Sequence, residues 1–77
     1  MIGDKMLTFE LTKDGDEVEI HGNEEGFREL MKALSMVINT SEHDHLMTPA
    51  WGGRELTEEK QGKANRLINK VTIRLWH

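Results

Sequence analysis

The chain has 77 residues, no cysteine and a net charge of −4. These figures exclude a disulfide framework and a thiolate metal site, and no apolar run approaches the roughly 20 residues of a membrane span. A length of 77 residues predicts one domain, residues 1–77. The start of the sequence lacks the basic and apolar regions of a signal peptide, so we expect a cytoplasmic protein.

The charge is unevenly distributed along the chain. Residues 1–38 carry nine acidic and four basic residues, whereas residues 39–77 carry five and six. An acidic first half argues against nucleic acid, because phosphates require a basic binding surface. It suits a basic protein partner, since opposite fields speed encounter, or it serves only to keep the protein soluble.

Two short segments near the amino terminus predict a β-hairpin. Apolar and polar side chains alternate in residues 6–11 and again in residues 17–21, which is the period of a half-buried strand. Asp14-Gly15 lies between them and is a strong signal for a tight turn, because glycine accepts a positive φ.

A single amphipathic helix is predicted over residues 24–38, lying across the hairpin. Gly22 ends the preceding strand, and Asn23 is a residue type that caps helix amino termini well. Apolar residues then recur at helical spacing, and we assign the stripe that they form to the core. The stripe consists of Phe27, Leu30, Met31, Leu34, Val37 and Ile38.

The second half of the chain predicts two further strands separated by a loop. Residues 43–48 form the third strand, which ends at Pro49 because proline cannot donate to a ladder. The loop runs from Pro49 to about Thr57. Residues 70–76 alternate again and form the last strand.

These elements predict an α+β fold of order β-β-α-β-β, with one helix packed on one face of a four-stranded, mainly antiparallel sheet. One helix covers only one face, so we expect the other to be open to water or to a partner. Trp76 either contacts a partner there, as Trp often does at interfaces, or folds over the sheet edge. The alternation assigns to this open face Thr8, Glu10, Glu17, Glu19, His21, Thr72, Arg74 and Trp76.

His43 and His45 are candidate metal ligands, because side chains two residues apart on a strand project from the same face and two imidazoles so placed can share a zinc ion. A third ligand would have to come from His21, His77 or Glu55, and the spacing selects none of them. Two histidines without a fixed third ligand are more often hydrogen-bonding residues on a sheet, or a patch that becomes positive as the pH falls toward about 6.

The sequence has none of the residue patterns that we associate with an enzyme. Acid–base catalysis needs carboxylates that face each other in a cleft, whereas the acidic residues of the open face should be solvated. Gly52-Gly53 lacks the Lys and Ser/Thr that flank a phosphate-binding loop, and no nucleophile motif is present. We therefore predict a binding protein without enzymatic activity and without a cofactor.

Residues 43–55 combine two His, the only Pro, one of two Trp and the only Gly-Gly pair of the chain. Loops of this kind usually serve binding rather than packing. Trp51 either closes the open end of the core, with Gly52-Gly53 letting the backbone turn beneath it, or is exposed and inserts into a partner. Arg54 would then belong to the polar rim of the contact.

The stretch His-Asp-His-Leu-Met-Thr-Pro-Ala-Trp-Gly-Gly-Arg-Glu-Leu-Thr, residues 43–57, resembles a motif of the bacterial polymorphic-toxin Immunity protein 32 family. The hairpin, the Gly-Asn-Glu-Glu-Gly helix start and the closing Val-Thr-Ile strand are also arranged as in that family's small α+β domain. The resemblance spans roughly residues 6–76. It implies a protein that binds and neutralises a cognate toxin, with no catalytic residues. The positions that match the motif are His45, Trp51, Gly52 and Gly53.

We therefore expect a protein partner, with a basic toxin domain as one form of it. Trp51, Trp76 and Arg54 are the predicted contact residues, and Glu10, Glu17 and Glu19 their charged surround. Two alternatives stay open. One is a small metal-binding or enzymatic domain centred on His43 and His45; the other is a homo-oligomer formed through the open sheet or an edge strand.

Overall fold

The computed structural model describes residues 4–76 and shows an α+β fold. The predicted class and the succession of a hairpin, one helix and two further strands are confirmed, and a two-residue strand is added before the last one. In chain order the elements are β1 (Leu7–Leu11), β2 (Val18–Gly22), α1 (Glu24–Thr40), β3 (His43–Met47), a 3₁₀ turn (Pro49–Trp51), β4 (Arg66–Leu67) and β5 (Lys70–Arg74).

The hairpin of β1 and β2 forms where the alternation predicts it. The two strands pair antiparallel over their whole length without a bulge. At the turn, Gly15 has a φ of 76°, which glycine adopts without steric cost. Its N–H donates a hydrogen bond to Thr12 O at 2.8 Å. The turn residues and the alternation together therefore account for the register.

The strands form two antiparallel sheets rather than the single four-stranded sheet of the prediction. One sheet has the order β2-β1-β4, and the other pairs β3 with β5. The second edge of β1 is not available to β3 or β5, because later residues occupy it. Thr57 N donates to Leu7 O at 2.8 Å, and Ile68 N donates to Phe9 O at 2.8 Å.

Helix α1 begins where the sequence predicts and ends two residues later. The Asn23 side chain accepts a hydrogen bond from Gly26 N at 2.8 Å, which caps the amino terminus. Gly26 lies directly on β1, since a Cβ there would come within 1.8 Å of Met6 O. The helix ends at Ser41, which has a left-handed φ of 58°. Within residues 4–76 no helix is long and apolar enough to cross a membrane.

The helix turns its smaller apolar residues toward the core. Gly26, Ala33 and Val37 are buried, whereas Phe27, Met31, Leu34 and Ile38 of the predicted stripe are 40–64% exposed. The prediction that the whole stripe is core is therefore wrong, because small residues let α1 approach the sheets along a side rotated from that stripe. The core cluster consists of Leu7, Phe9, Ala33, Leu46 and Leu56.

The reverse face of the three-stranded sheet is covered over β1, contrary to the prediction that this face is open. Thr8 and Glu10 project from it and have no exposed surface. Residues 61–65 fold over this face and donate hydrogen bonds to Glu10. Strand alternation separates two faces but does not show that a later segment returns to cover one of them. Thr72 and Arg74 lie on the other sheet.

Candidate functional site

The two-stranded sheet has one face turned to the core and one turned to solvent. β3 and β5 pair antiparallel with Leu46 opposite Val71, and Leu46 is fully buried. Because side chains alternate between the faces of a strand, the neighbours of Leu46 belong to the other side. This outer face consists of His43, His45 and Met47 from β3 and Lys70, Thr72 and Arg74 from β5.

The two candidate histidines lie side by side on the outer face. Their ring centroids are 4.9 Å apart in a T-shaped arrangement, and His45 Nδ1 lies 3.0 Å from Thr72 Oγ1. Desolvation by burial lowers the pKa of His45, and the charges of Lys70, His43 and Arg74 lower it further. His45 is therefore uncharged at neutral pH and lies within an otherwise basic surface.

The described part of the chain brings no third metal donor to His43 and His45. His21 belongs to a different group, on the reverse face of the three-stranded sheet. Glu55 accepts hydrogen bonds from backbone N–H groups, and His77 lies outside the described residues. The donor atoms that lie within 4.8 Å of one another belong instead to Glu10, Glu19 and His21.

Residues 48–58 fold compactly directly after β3 and form the Trp51 loop. Thr48 O accepts hydrogen bonds from Trp51 N and Gly53 N, both at 2.9 Å. Thr48 is itself fully buried, and its hydroxyl donates to Asn69 Oδ1 at 2.7 Å. The loop therefore starts from a fixed point at the end of the two-stranded sheet.

The two glycines of the Trp51 loop meet different requirements. Gly52 has a φ of 86°, and no atom lies within 4 Å of the position that a Cβ would take. Gly53 has no room for a side chain, because a Cβ would lie 2.4 Å from Met47 O. The predicted role of the pair in shaping the turn is therefore supported by backbone geometry at one position and by close packing at the other.

Two carboxylates within the Trp51 loop fix its backbone. Glu55 Oε1 accepts a hydrogen bond from Met47 N at 3.1 Å, and Glu58 Oε2 accepts one from Ala50 N at 2.7 Å. Burial raises the pKa of Glu55, but hydrogen bonds from backbone N–H groups outweigh burial and lower it. Both carboxylates therefore act as acceptors for backbone groups that would otherwise turn to water.

Trp51 is 58% exposed, which rules out the interpretation that it closes the open end of the core. Leu56, five residues later, is the buried apolar residue of this segment. Arg54, three residues after Trp51, is exposed. A hydrogen-bonded loop thus holds a large aromatic side chain in solvent, so a partner would meet a loop that is already ordered.

Trp76 lies beyond the opposite end of the same sheet and is 86% exposed. It therefore does not fold over the sheet edge. Beside it is a shallow cavity of about 250 Å³. The residues that line this cavity are Ser41, Glu42, His43, Arg74, Leu75 and Trp76. The outer face thus has an exposed tryptophan beyond each end of its strands.

Glu10 lies at the centre of a buried hydrogen-bond network on the other sheet. Its Oε2 accepts from Thr8 Oγ1 at 2.6 Å and Gln61 N at 2.8 Å, and its Oε1 accepts from Gly62 N and Asn65 Nδ2, both at 2.9 Å. Burial raises the pKa of Glu10, but these four donors outweigh burial and lower it to about 2. We call these five residues the Glu10 centre.

The predicted charged surround does not assemble as one surface. Glu10 is inaccessible to a partner, which corrects its assignment to an open face. Glu19 is half-buried: its Oε1 lies 2.8 Å from His21 Nε2 and accepts from Asn65 Nδ2 at 3.0 Å, and these hydrogen bonds lower its pKa. Glu17 is exposed, as predicted.

Sequence analysis missed the residues that complete both regions. Asn65 donates to Glu10 from 55 positions away along the chain, and Glu58 accepts from the Trp51 loop. For neither residue does its distance along the sequence identify the partner. The one signal in the sequence is the glycine-containing turn at residues 61–63, because backbone N–H groups of a turn need acceptors when they are buried.

Comparison with family models finds a match to the family described as Immunity protein 32 over residues 17–71. The matched segment covers most of the chain and includes β2, α1, β3 and the whole Trp51 loop. Searches of curated proteins and of solved structures give no significant match.

Proposed function

The chain belongs to the Immunity protein 32 family, and on this premise we propose that it neutralises a cognate toxin by direct protein–protein contact. The observation that carries the proposal is the Trp51 loop, in which an exposed tryptophan is held by hydrogen bonds on both sides of the turn. Tryptophan is among the residues that contribute most to protein interfaces. A loop ordered before binding also reduces the entropy lost on association.

The contact surface that we propose is the outer face together with Trp51 and Trp76. Lys70 and Arg74 are exposed on this face, and its six residues include no carboxylate. A surface of this kind complements an acidic patch on the toxin, because opposite charges steer encounter and fix orientation. The expectation of a basic toxin domain rests on the acidic first half of the chain, and the burial of Glu10 leaves one fewer of those carboxylates within reach of a partner.

His45, Gly52, Gly53 and Arg54 take different parts in this proposal. His45 and Arg54 offer polar groups to the partner, whereas the two glycines shape the turn that presents Trp51. Glu17 and Glu19 lie on the three-stranded sheet, and we assign them no contact in this surface. The same proposal includes the absence of enzymatic activity, which is general in immunity protein families, and a cytoplasmic location.

The test is binding to the toxin domain encoded beside the gene, measured with Trp51→Ala and with Met36→Ala as control. Both side chains are about half exposed, and Met36 lies on α1, away from the outer face. We expect Trp51→Ala to weaken binding at least about 30-fold, which is the loss typical of a central interface residue. Survival of cells that express the toxin should fall in parallel.

Unchanged binding by Trp51→Ala would reject the proposed surface while leaving the toxin as partner. No binding by the unaltered chain to that toxin would reject the proposed function. Far-ultraviolet circular dichroism of each variant separates lost contact from lost folding, since an exposed side chain should leave the spectrum unchanged.

A further inference from the structure

Strand β2 has an outer edge that no other strand of residues 4–76 covers, because the sheet order is β2-β1-β4. The hydrogen bonds between β2 and β1 determine which backbone groups of β2 are left for the outer edge. Thr12 N donates to Glu17 O at 3.0 Å, and Asn23 N donates to Met6 O at 3.1 Å. In an antiparallel pair the bonded residues alternate, so the N–H and C=O groups of Val18, Ile20 and Gly22 point outward.

Two apolar side chains of this edge strand are exposed to water. Val18 is 54% exposed and Ile20 is 45% exposed. Proteins protect open edges with proline, lysine, other charged side chains or a bulge, and of these β2 has only the carboxylate of Glu19, which is hydrogen-bonded to His21 and Asn65. A weakly protected edge with exposed β-branched side chains is a template for another strand.

The opposite face of β2 is self-complementary in hydrogen bonding. It presents Glu19 and His21, which lie 2.8 Å apart in the same strand. An antiparallel pairing of β2 with itself, centred on Ile20, places each Glu19 opposite the His21 of the other copy. Sliding the two copies by two residues in one direction opposes Glu19 with Glu19, and like charges directly opposite are destabilising. Sliding them in the other direction opposes His21 with His21 and leaves Glu19 without His21 of the other copy as its partner.

We propose that the occupant of this edge is a second copy of the chain, paired antiparallel through β2 about a twofold axis at Ile20. In this register Ile20 exchanges two backbone hydrogen bonds with its own copy, and Val18 does so with Gly22 of the other copy. The two three-stranded sheets become one six-stranded sheet. Such an interface is isologous, as twofold symmetry requires.

Exposed residues of α1 add apolar surface to the same assembly. Phe27 packs at the end of β2, since a Cβ on Gly22 would lie 3.2 Å from its ring. Met31, Leu34 and Ile38 continue along that side of the helix and are 43–64% exposed. A twofold axis perpendicular to the sheet puts both helices on one face of the joined sheet, together with four β2 side chains, Val18 and Ile20 from each copy.

Sedimentation equilibrium tests the proposal, with Ile20→Lys as the disrupting variant and Met36→Lys as its control. The two positions have the same exposure, 45%, and receive the same charge. We expect a mass twice the 8.9 kDa of the chain for the unaltered protein and for Met36→Lys. Ile20→Lys should remain at the single-chain mass, because it places two lysines opposite each other.

Cysteine cross-linking tests the register in a chain that has no cysteine of its own. Residue 20 lies opposite itself at about 5.5 Å between Cα atoms, which is within the reach of a disulfide. Residue 18 lies about 13 Å from its own copy, because four residues of strand separate them. Ile20→Cys should therefore oxidise to a linked dimer, whereas Val18→Cys should stay unlinked.

A single-chain mass for the unaltered protein at 100 µM would overturn the proposal, and so would equal cross-linking of the two cysteine variants. A dimer that Ile20→Lys leaves intact would also overturn it. If the unaltered chain is monomeric and β2 gains amide protection only when the toxin is added, the occupant is the toxin and self-pairing is rejected. Toxin binding by Trp51 is scored separately, so the two proposals fail independently.

Discussion

The Glu10 centre and the Trp51 loop contain the same kind of hydrogen bond, from a backbone N–H group to a carboxylate, but with different consequences. In each, carboxylates accept hydrogen bonds from backbone N–H groups: Glu10 from Gln61 and Gly62, Glu55 from Met47 at the end of β3, and Glu58 from Ala50. At Glu10 the carboxylate is fully buried and draws residues 61–65 over the sheet. In the Trp51 loop the acceptors are the half-buried Glu55 and the exposed Glu58, which belong to the loop itself, and its tryptophan stays in solvent.

The difference shows that burial and the number of donors, rather than residue type, decide what a carboxylate contributes. Glu10 accepts hydrogen bonds from four donors and has no exposed surface, so these hydrogen bonds take the place of water around its charge. Glu58 is exposed and accepts one hydrogen bond through one oxygen. We therefore expect the Glu10 centre to govern stability and the Trp51 loop to govern binding.

The largest effect should come from Glu10→Gln. The amide group of Gln must face donors that the second carboxylate oxygen now satisfies, so buried N–H groups lose their acceptor. We expect the free energy of unfolding to fall by about 3–5 kcal/mol, measured by urea denaturation.

The matched control is Glu17→Gln, at an exposed position next to the same sheet. It should change the free energy of unfolding by less than about 0.5 kcal/mol. Equal effects of the two substitutions would mean that the charge of Glu10 and the hydrogen bonds to the replaced oxygen contribute nothing net to stability.

Acid titration should remove the same contribution without a mutation. The pKa of Glu10 is lowered from 4.5 to about 2, so the folded protein binds this proton less readily than the unfolded chain. The contribution is complete above pH 4.5 and is lost as the pH falls toward about 2. It amounts to about 3 kcal/mol.

Glu19 and Glu55 also have lowered pKa values, so acid destabilises the protein through several groups. The informative quantity is the difference in unfolding free energy between the unaltered chain and Glu10→Gln as a function of pH. It should shrink as the pH falls through this window. A difference that stays constant down to pH 2 would show that the charge of Glu10 is not involved.

The contrast between the Glu10 centre and the Trp51 loop also shows which parts of the structure could be predicted from the sequence. The hairpin and the Asn23 cap were predictable, because their determinants lie within a few residues of each other. The Glu10 centre was not, because three of its four donors lie 51 to 55 positions away and alternation alone describes only a two-sided strand. The division into two sheets has the same origin, since residues 57–68 occupy an edge that looked free.

The residues of the candidate site could be predicted from the sequence, but the exposure of Trp51 could not. Residues 43–55 stood out by residue type, and the family match over residues 17–71 confirms the resemblance. Sequence alone left Trp51 either buried or exposed, because that choice depends on Leu56 filling the core. The apolar stripe of α1 misled for a related reason: periodicity identifies an apolar side, but Gly26 and Ala33 decide which side packs closely.

Within the Trp51 loop, Gly53→Ala should be the most damaging single change. A Cβ there would lie 2.4 Å from Met47 O, so the backbone of the loop or of β3 must shift. We expect a loss of about 1–3 kcal/mol in unfolding free energy. Gly52→Ala meets open space and has only the cost of a positive φ, about 1 kcal/mol.

Urea denaturation followed by circular dichroism ranks these two variants. A smaller loss for Gly53→Ala than for Gly52→Ala would mean that the close approach to Met47 is relieved at no cost. The loop would then be softer than its hydrogen bonds indicate.

The smallest effect should come from Glu58→Gln, the same substitution that is most damaging at position 10. The carbonyl oxygen of Gln can still accept from Ala50 N, and the amide group turns to water instead of facing buried donors. We expect a change within about 0.5 kcal/mol in unfolding free energy and slightly faster hydrogen exchange at Ala50. Loss of more than about 2 kcal/mol would show that the charge of Glu58 stabilises the fold, and the two regions would then differ in location rather than in kind.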